Sequence, residues 1–328
     1  MKILFITSNR IGDAILSSGL LAQLADQYRT ARFTVAAGPA AAPLFKDMPR
    51  LDRVITLDKR PLAGHWRKLW LQCLLHRWDI IVDLRGSAIA WLLWCKRRLV
   101  HRSQQSDAHK VAQLGLAYGL DAPPQPRLWC GADRIARAAE LCPQGGVLLA
   151  LGPTANWVGK QWPIDRFVTL AQRLIAPTGP FSGARIAIFG GPGEQAMAAP
   201  LVNALPKGQV IDLIGKIDLL TAYACLRHAT LYIGNDSGLM HLAATAGVPT
   251  IGLFGPSREN HYGPWGTHTL AVRGTQSFEE IIGAPGYDHL SDQCHMTSLP
   301  VEQVEEAVSE LLEKIAGSVT NMHAQVAR

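Results

Sequence analysis

The sequence predicts an α/β fold in which two Rossmann-like, doubly wound parallel-sheet domains follow each other along the chain. Three observations lead to this prediction. The 328 residues suffice for two hydrophobic cores, apolar β-branched runs alternate with helical patterns, and this alternation occurs twice. The composition, with 48% hydrophobic and 18% charged residues, excludes a disordered or fibrous protein.

The first series of elements lies before residue 85. Its strands are predicted at residues 2–7, 32–37, 54–57 and 80–84, and its helices at residues 14–28 and 66–77. Strands that are separated by helices indicate a parallel sheet, since parallel strands need long crossover connections.

The second series follows a Pro/Gly segment at residues 141–146, which has the composition of a linker. Its strands are predicted at residues 147–151, 185–189, 209–213, 231–233 and 250–254, and its helices at residues 164–175, 219–227 and 240–246. The domains are therefore expected at residues 1–143 and 144–328. A last helix, predicted at residues 301–315, could cross back to the first domain.

Several protein classes are not supported by the sequence. No apolar stretch approaches the length of about 20 residues that a membrane helix needs, and Arg10 and Asp13 interrupt the first apolar run, so a signal peptide is not indicated. We expect a cytoplasmic protein. The six cysteines form no CxxC pair, which predicts neither a zinc site nor a disulfide framework.

The charge is distributed unevenly. Residues 1–141 contain 21 Lys and Arg against 11 Asp and Glu, a net charge of +10, whereas residues 142–328 contain 11 against 15, a net charge of −4. This asymmetry indicates an anionic partner for the first half, although a general solubility charge is the alternative. A nucleic acid is not expected, because no helix-turn-helix or RNA-binding motif accompanies the charge.

The segment at residues 230–257, TLYIGNDSGLMHLAATAGVPTIGLFGPS, is typical of a strand, a tight turn, a helix, a second strand and a loop. A helix that starts at Asp236-Ser237-Gly238 leaves backbone N–H groups free for a phosphate. Asp236 suits sugar or ribose hydroxyls better, because a carboxylate repels phosphate. Alternatively, Asp236 or Ser237 only caps the helix and His241 is a partly buried histidine.

The same segment resembles the signature of glycosyltransferase family 9, the heptosyltransferases of lipopolysaccharide core synthesis. The resemblance extends over almost the whole chain and is weakest at residues 40–140. It implies the GT-B architecture, with an acceptor-binding domain and a donor-binding domain facing a central cleft. It also implies that Asp236, Ser237, Gly238 and His241 hold the diphosphate and sugar of the donor.

A Gly-Asp pair follows the first predicted strand, at Gly12 and Asp13. By itself, Asp13 could be an N-cap or first-turn acid that the helix dipole favours. Family 9 has a Gly-Asp at this place, so the resemblance implies that Asp13 is the general base and that Gly12 belongs to the donor site. A base would deprotonate the attacking hydroxyl, and one in-line displacement would invert the anomeric configuration.

The remaining donor-site predictions also come from the resemblance. The family has a similar Thr-containing loop and a Lys-x-Trp-Pro motif, which implies that Lys160 contacts the donor phosphate near Thr154, although Lys160 could be a solvated loop lysine. Glu194 follows a Gly-rich loop and is implied in ribose binding, and Ile217 in adenine packing. The chain contains no DxD triplet, so neither a bridging metal ion nor another cofactor is expected.

The candidate acceptor-binding residues are basic. They are Arg85, Arg97, Arg98 and Arg102, in a stretch from residue 84 to residue 106 that contains no acidic residue. Guanidinium groups bind phosphates and carboxylates in a bidentate manner. The alternative is a solvated helix face. Because Trp91, Leu92 and Trp94 lie beside these charges, peripheral docking on an anionic membrane surface, such as that of the inner membrane, is also compatible with acceptor binding.

The sequence and the resemblance together predict an inverting, metal-independent glycosyltransferase. The resemblance implies an ADP-heptose donor and an anionic lipopolysaccharide-core acceptor. The apolar loop at residues 155–159 departs from the family and leaves the donor sugar open. Two other functions remain possible, namely a nucleotide-sugar epimerase or hydrolase of the same architecture and an inactive nucleotide-sugar binding protein.

Overall fold

The computed structural model describes residues 1–59, 61–101, 106–289 and 291–326, without the side chains of residues 319–326. The chain divides into two compact units, an N-terminal unit at Met1–Arg134 and a C-terminal unit at Ile135–Arg328. In the described residues, no helix is both long enough and apolar enough to cross a membrane.

The N-terminal unit contains a five-stranded parallel sheet in the order β3-β2-β1-β4-β5. The strands are β1 (Lys2–Ile6), β2 (Arg32–Ala37), β3 (Leu51–Thr56), β4 (Trp78–Asp83) and β5 (Cys95–Val100). The helices are α1 (Ile11–Gln27), α2 (Gly64–Cys73), α3 (Ile89–Leu92), α4 (Lys110–Ala117) and α5 (Ala132–Leu141), of which α5 continues into the C-terminal unit.

The central strand and the first helix explain why this sheet forms. In β1 all residues after Lys2 are buried, as expected for a parallel strand that is covered on both faces. Helix α1 begins at Ile11, three residues before the predicted start at residue 14. Gly12 and Asp13 therefore lie in the first helical turn at the carboxyl edge of the sheet.

The basic segment after α3 forms a strand. In β5, Lys96 and Arg98 alternate with Arg97 along an edge strand that pairs with β4. The interpretation of this segment as a solvated helix face is therefore wrong. Its three consecutive basic residues give no alternating strand pattern, and the sheet position of the segment is set by pairing with β4.

The C-terminal unit contains a six-stranded parallel sheet in the order β11-β10-β9-β6-β7-β8. The strands are β6 (Leu148–Gly152), β7 (Arg185–Ile188), β8 (Val210–Asp212), β9 (Leu231–Asn235), β10 (Thr250–Phe254) and β11 (Thr269–Arg273). The helices are α6 (Ile164–Ile175), α7 (Gln195–Ala204), α8 (Leu219–Leu226), α9 (Gly238–Thr245), α10 (Glu259–Tyr262), α11 (Phe278–Ile282) and α12 (Val301–Val326).

The C-terminal helix α12 packs within its own unit over the part whose side chains are described. Val304, Val308 and Leu311 join the core formed by the sheet and α6. Arg173 of α6 forms ion pairs with Glu302 and Glu305 at 2.8 Å. That this helix crosses back to the first domain stays a prediction.

The segment predicted as a linker is bonded to the C-terminal unit. Arg185 donates hydrogen bonds to the carbonyl oxygens of Pro143 and Gly145, at 2.5 and 3.1 Å. Gly145 and Gly146 both have positive φ, which favours glycine at these positions. The boundary between residues 143 and 144 stays a prediction, since the compact units divide within α5.

Candidate active site

The carboxyl ends of the parallel strands bring four loops of the C-terminal unit to one edge of its sheet. Gly152 at the end of β6 pairs in register with Gly234 of β9, and Asn235 pairs with Leu253 of β10. The loops after β6, β7, β9 and β10 are therefore neighbours. They contain most of the residues that the sequence predicts for donor binding.

Asp236 lies at the centre of this edge. Its Oδ2 atom accepts hydrogen bonds from Lys160 Nζ at 2.5 Å and from Ser257 Oγ at 2.6 Å. The Asp236 side chain is 6% exposed and that of Lys160 is 27% exposed. Within the described part of the chain, Asp236 Oδ1 accepts no hydrogen bond, so one oxygen is held and the other remains available to a ligand hydroxyl.

The sequence predictions assign Lys160 to the donor phosphate and Asp236 to donor hydroxyls, and in the structure these two side chains contact each other. An ammonium group has three donors, so Lys160 can retain Asp236 and still donate to a phosphate oxygen. Lys160 is not the fully solvated loop lysine of the alternative interpretation. Asp236 directs its carboxylate at Lys160 and Ser257, which also argues against a role limited to helix capping.

Ser257 was not among the predicted site residues. It follows Gly255 and Pro256 after β10 and lies within the predicted donor segment. Arg273 of β11 fixes this loop, because its guanidinium donates to the Gly255 carbonyl at 2.5 Å, to the Ser257 carbonyl and to the Glu259 carboxylate. The Arg273 hydrogen bonds hold the pKa of Glu259 below its ordinary value.

Asn235 positions the Lys160 loop against the sheet. Its Oδ1 atom accepts from the Trp162 backbone N–H at 3.0 Å, and its Nδ2 atom donates to the Pro153 carbonyl at 2.7 Å. Both bonds are buried and span more than 70 residues of sequence. The loops at Thr154 and Lys160 are thereby fixed to the end of β9.

A second carboxylate at this edge is held in the same way. Glu194 Oε2 accepts from Thr154 Oγ1 and from the Gly191 N–H, both at 2.6 Å. Among the described residues, nothing donates to Glu194 Oε1. The structure therefore brings Thr154 and Glu194 together, and leaves one oxygen of Glu194 for hydroxyl groups of a ligand.

The buried side chain of Tyr232 underlies the turn after β9. A Cβ atom at Gly152 or at Gly234 would collide with the Tyr232 hydroxyl, which explains the requirement for glycine at both positions. Burial raises the pKa of Tyr232, so the hydroxyl keeps its proton, and its neighbour is the Ser237 side chain. Sequence reasoning missed Tyr232 because a tyrosine in a strand is ordinarily a core residue.

The remaining donor-side residues lie on or near short elements. Ser237 is the N-cap residue of α9 but makes no side-chain capping bond, Gly238 begins the helix, and His241 is 4% exposed. The side-chain cap proposed as the alternative for Ser237 is therefore absent. Ile217 lies half-buried in the loop between β8 and α8, and it takes no part in the hydrogen bonds described above for Asp236 and Glu194.

Asp13 lies at the carboxyl edge of the other sheet. It occupies the first turn of α1, whose N-cap residue Arg10 makes no side-chain capping bond. Asp13 Oδ2 accepts a hydrogen bond from Ser8 Oγ at 3.3 Å, and no other side chain in the described residues donates to this carboxylate. Gly12 and Asp13 are half-buried, so the carboxylate is accessible and sparsely bonded.

Arg85 lies beside the Asp13 turn, because β4 pairs with β1. Arg85 Nη1 donates to Asn9 Oδ1 at 2.7 Å, and its guanidinium lies 5.1 Å from the centre of the Trp66 ring. The turn after β4 is fixed by the buried Asp83. Its carboxylate accepts hydrogen bonds from the backbone N–H groups of Arg85 and Ser87 and from the Ser87 hydroxyl. Asp83 was not predicted.

The other basic residues predicted for the acceptor have different environments. Arg97 is exposed. Arg98 donates to the carbonyl oxygens of Ala90 and Leu93, at 2.7 and 2.9 Å, and so has a structural role at the end of α3. Arg102 lies outside the described residues.

The comparisons with known proteins concern the family and the fold of the chain. The chain matches the model of glycosyltransferase family 9 (heptosyltransferase) over residues 90–280. It is 25% identical to lipooligosaccharide heptosyltransferase 2 of Haemophilus ducreyi over 317 residues, which cover 83% of this chain and 88% of that protein. It is 26% identical to lipopolysaccharide heptosyltransferase 3 of Escherichia coli, with 92% of this chain and 96% of that protein covered.

The fold is likewise similar to that of a solved member of this group. The structure of Escherichia coli ADP-heptose LPS heptosyltransferase II superposes with a TM-score of 0.74 and 21% identity, covering 96% of this chain and 100% of that chain. The predicted α/β fold class of GT-B type, with two parallel sheets, is confirmed. Because the family model covers more than half of the chain, this protein belongs to glycosyltransferase family 9, the heptosyltransferases.

Proposed function

We propose that this glycosyltransferase moves a heptose-like sugar from an ADP-sugar to an anionic acceptor of the lipopolysaccharide-core type, with inversion and without a metal ion. The observation that carries the donor assignment is the pair of half-satisfied carboxylates at one sheet edge, Asp236 bonded to Lys160 and Glu194 bonded to Thr154. Two acceptor oxygens and one cation match the hydroxyls and the diphosphate of a nucleotide sugar.

The leaving group in this reaction is a nucleoside diphosphate. As the bond between the anomeric carbon and the diphosphate oxygen breaks, its electron pair leaves with the diphosphate, and the growing negative charge needs a counter-charge. Lys160 and the backbone N–H groups at the start of α9 supply it in this proposal. The lack of a DxD triplet supports a route without a metal ion.

Asp13 is the proposed general base. Its carboxylate takes the proton of the acceptor hydroxyl while the oxygen attacks the anomeric carbon from the side opposite the diphosphate, which inverts the configuration. The half-buried position supports this role. Within the described ranges the carboxylate of Asp13 receives one long hydrogen bond, from Ser8, which leaves lone pairs to accept a proton.

The anionic acceptor is proposed for the N-terminal unit. Its net charge is positive, and Arg85 and Arg97 are exposed on it. A core glycolipid is anchored in a bilayer, so we place the reaction at the cytoplasmic face of the inner membrane, with the enzyme in peripheral contact. The names of the relatives support a heptose donor and a lipooligosaccharide or lipopolysaccharide acceptor.

The proposal is tested by calorimetric titration of ADP-, UDP- and GDP-sugars, followed by transfer assays with deep-truncated core glycolipid. We expect selective binding of an ADP-sugar, and a product whose anomeric configuration is opposite to that of the donor. Consumption of the donor without an acceptor would instead identify an epimerase or hydrolase. Binding without any turnover would identify an inactive nucleotide-sugar binding protein.

A further inference from the structure

The N-terminal unit exposes an unusual group of large apolar side chains. We define it as the tryptophan surface, which consists of Trp70, Leu71, Leu75, Trp91, Leu92 and Trp94. Trp91 is 62% exposed, Trp94 is 77% exposed and Leu75 is 88% exposed. Single exposed apolar residues are ordinary on proteins, but a contiguous group indicates a binding surface.

Trp70 and Leu71 lie on α2 and Trp91 and Leu92 on α3, which packs beside α2, while Leu75 and Trp94 follow these two helices within two residues. The Trp70 indole Nε1–H donates to the Leu92 carbonyl at 3.2 Å, which joins the two helices. The opposite sides of the same helices bury Leu69 and Cys73 of α2 and Ile89 of α3 in the core of the unit. Both helices therefore have apolar side chains on the core side and on the solvent side.

Basic side chains surround this surface. The guanidinium of Arg77 lies 5.9 Å from the Trp94 ring centre, and that of Arg98 lies 5.7 Å from the Trp91 ring centre. The sequence contains no acidic residue from Lys59 to Trp78 or from Leu84 to Gln105. Asp79, which flanks the group, forms an ion pair with Lys96 at 2.7 Å. The surroundings of the tryptophan surface are therefore strongly positive.

We propose that the tryptophan surface docks this unit on a bilayer containing anionic phospholipids. Indole rings are favoured at the boundary between headgroups and acyl chains, where their apolar body and their N–H group are both accommodated. The surrounding Arg and Lys side chains attract anionic headgroups. The use of this contact rests on the proposed function, since docking would bring the enzyme to a lipid-anchored acceptor.

Vesicle sedimentation of the full chain tests the inference. Vesicles of phosphatidylcholine alone are compared with vesicles that also contain phosphatidylglycerol, each at low and high sodium chloride. We expect binding that requires phosphatidylglycerol and weakens at high salt, because the headgroup attraction is screened. The variant combining Leu71→Ser, Leu75→Ser, Trp91→Ser and Trp94→Ser should lower the partition coefficient by at least about tenfold.

The control variant combines Leu116→Ser and Ile282→Ser, which alter exposed apolar residues elsewhere and should leave vesicle binding unchanged. A second test variant is Arg67→Glu. Arg67 is an exposed residue of α2, one helical turn before Trp70 and Leu71, so its charge reversal keeps all apolar residues and should also reduce binding to the anionic vesicles. Circular dichroism and ADP-sugar titration verify that each variant is folded.

Three results would overturn the inference. The first is equal binding to both vesicle types, and the second is no binding to either. The third is a wild-type chain that binds no vesicles but forms a dimer, with the four-residue variant monomeric. This result would identify a second copy of the chain as the occupant of the tryptophan surface. Sedimentation requires no sugar transfer. A chain that binds vesicles but transfers no sugar would contradict the proposed function alone, and an active chain that binds no vesicles would contradict only the docking surface.

Discussion

The two candidate carboxylate sites of this protein differ in how firmly they are held. In the C-terminal unit, Asp236 receives bonds from Lys160 and Ser257 at 2.5 and 2.6 Å, whereas in the N-terminal unit Asp13 receives one from Ser8 at 3.3 Å. A group that binds a ligand gains from being fixed in advance, because less ordering is needed on binding. A general base needs lone pairs that are not already occupied.

The largest expected effect tests the sparsely bonded site. Asp13→Asn preserves the shape of the side chain but removes its ability to accept a proton, so kcat should fall by about 10²- to 10⁴-fold. The Kd of the donor should not change. Transfer kinetics and calorimetry measure the two quantities separately.

The matched control is Asp121→Asn, which alters an exposed acid of the same unit and should leave kcat unchanged. If Asp13→Asn kept a kcat close to that of the wild type, the assignment of Asp13 as the base would be wrong. The difference in hydrogen bonding between Asp13 and Asp236 would then not reflect a difference between a base and a binding group.

The next largest effect concerns the firmly held site. Lys160→Ala removes the cation that contacts Asp236 and the proposed diphosphate, so the Kd of the ADP-sugar should rise by about 10- to 100-fold. Lys207→Ala, at an exposed lysine of the same unit, is the control. Unchanged donor affinity in Lys160→Ala would refute the assignment of Lys160 to the diphosphate.

A smaller effect is expected when Asp236 loses one hydrogen bond but keeps its contact with Lys160. Ser257→Ala removes one of the two bonds to Asp236 Oδ2, and the donor KM should rise by about 2- to 10-fold while kcat changes little. Ser182→Ala, at an exposed serine, should leave KM unchanged. A fall in kcat alone would show that Ser257 does not act by positioning Asp236 for the donor.

The smallest effect is a pH dependence. Arg273 lowers the pKa of Glu259 from its ordinary value of 4.5, so the pair stabilises the folded state above this pH and loses its contribution as the pH falls through the lowered pKa. Because the Glu259 side chain is 40% exposed, the contribution should not exceed about 1 kcal/mol.

Chemical denaturation of the wild type and of Glu259→Gln at several pH values measures this contribution. The difference in the free energy of unfolding between the two proteins should be largest near neutrality and should shrink below pH 4.5. A difference that stays constant across this range would show that the Arg273 pair does not stabilise the Ser257 loop electrostatically.

Much of the fold follows from local patterns in the sequence. The alternation of apolar strands with helices predicted both parallel sheets, because a buried parallel strand and an amphipathic helix each have a characteristic periodicity. Strand β5 was not predicted, because Lys96, Arg97 and Arg98 leave it without an apolar face. The loops that contain Lys160 and Asp236 were also identified, because functional groups of such sheets lie after the strands.

The sequence by itself therefore determined the two-sheet architecture, the uneven charge and the loops in which the candidate residues lie. Only the tertiary structure decided which of these residues contact each other. Lys160 meets Asp236 across 76 residues of sequence, and Thr154 meets Glu194 across 40. The physical reason is that strand order, which local periodicity does not encode, determines which loops become neighbours at the edge of a sheet.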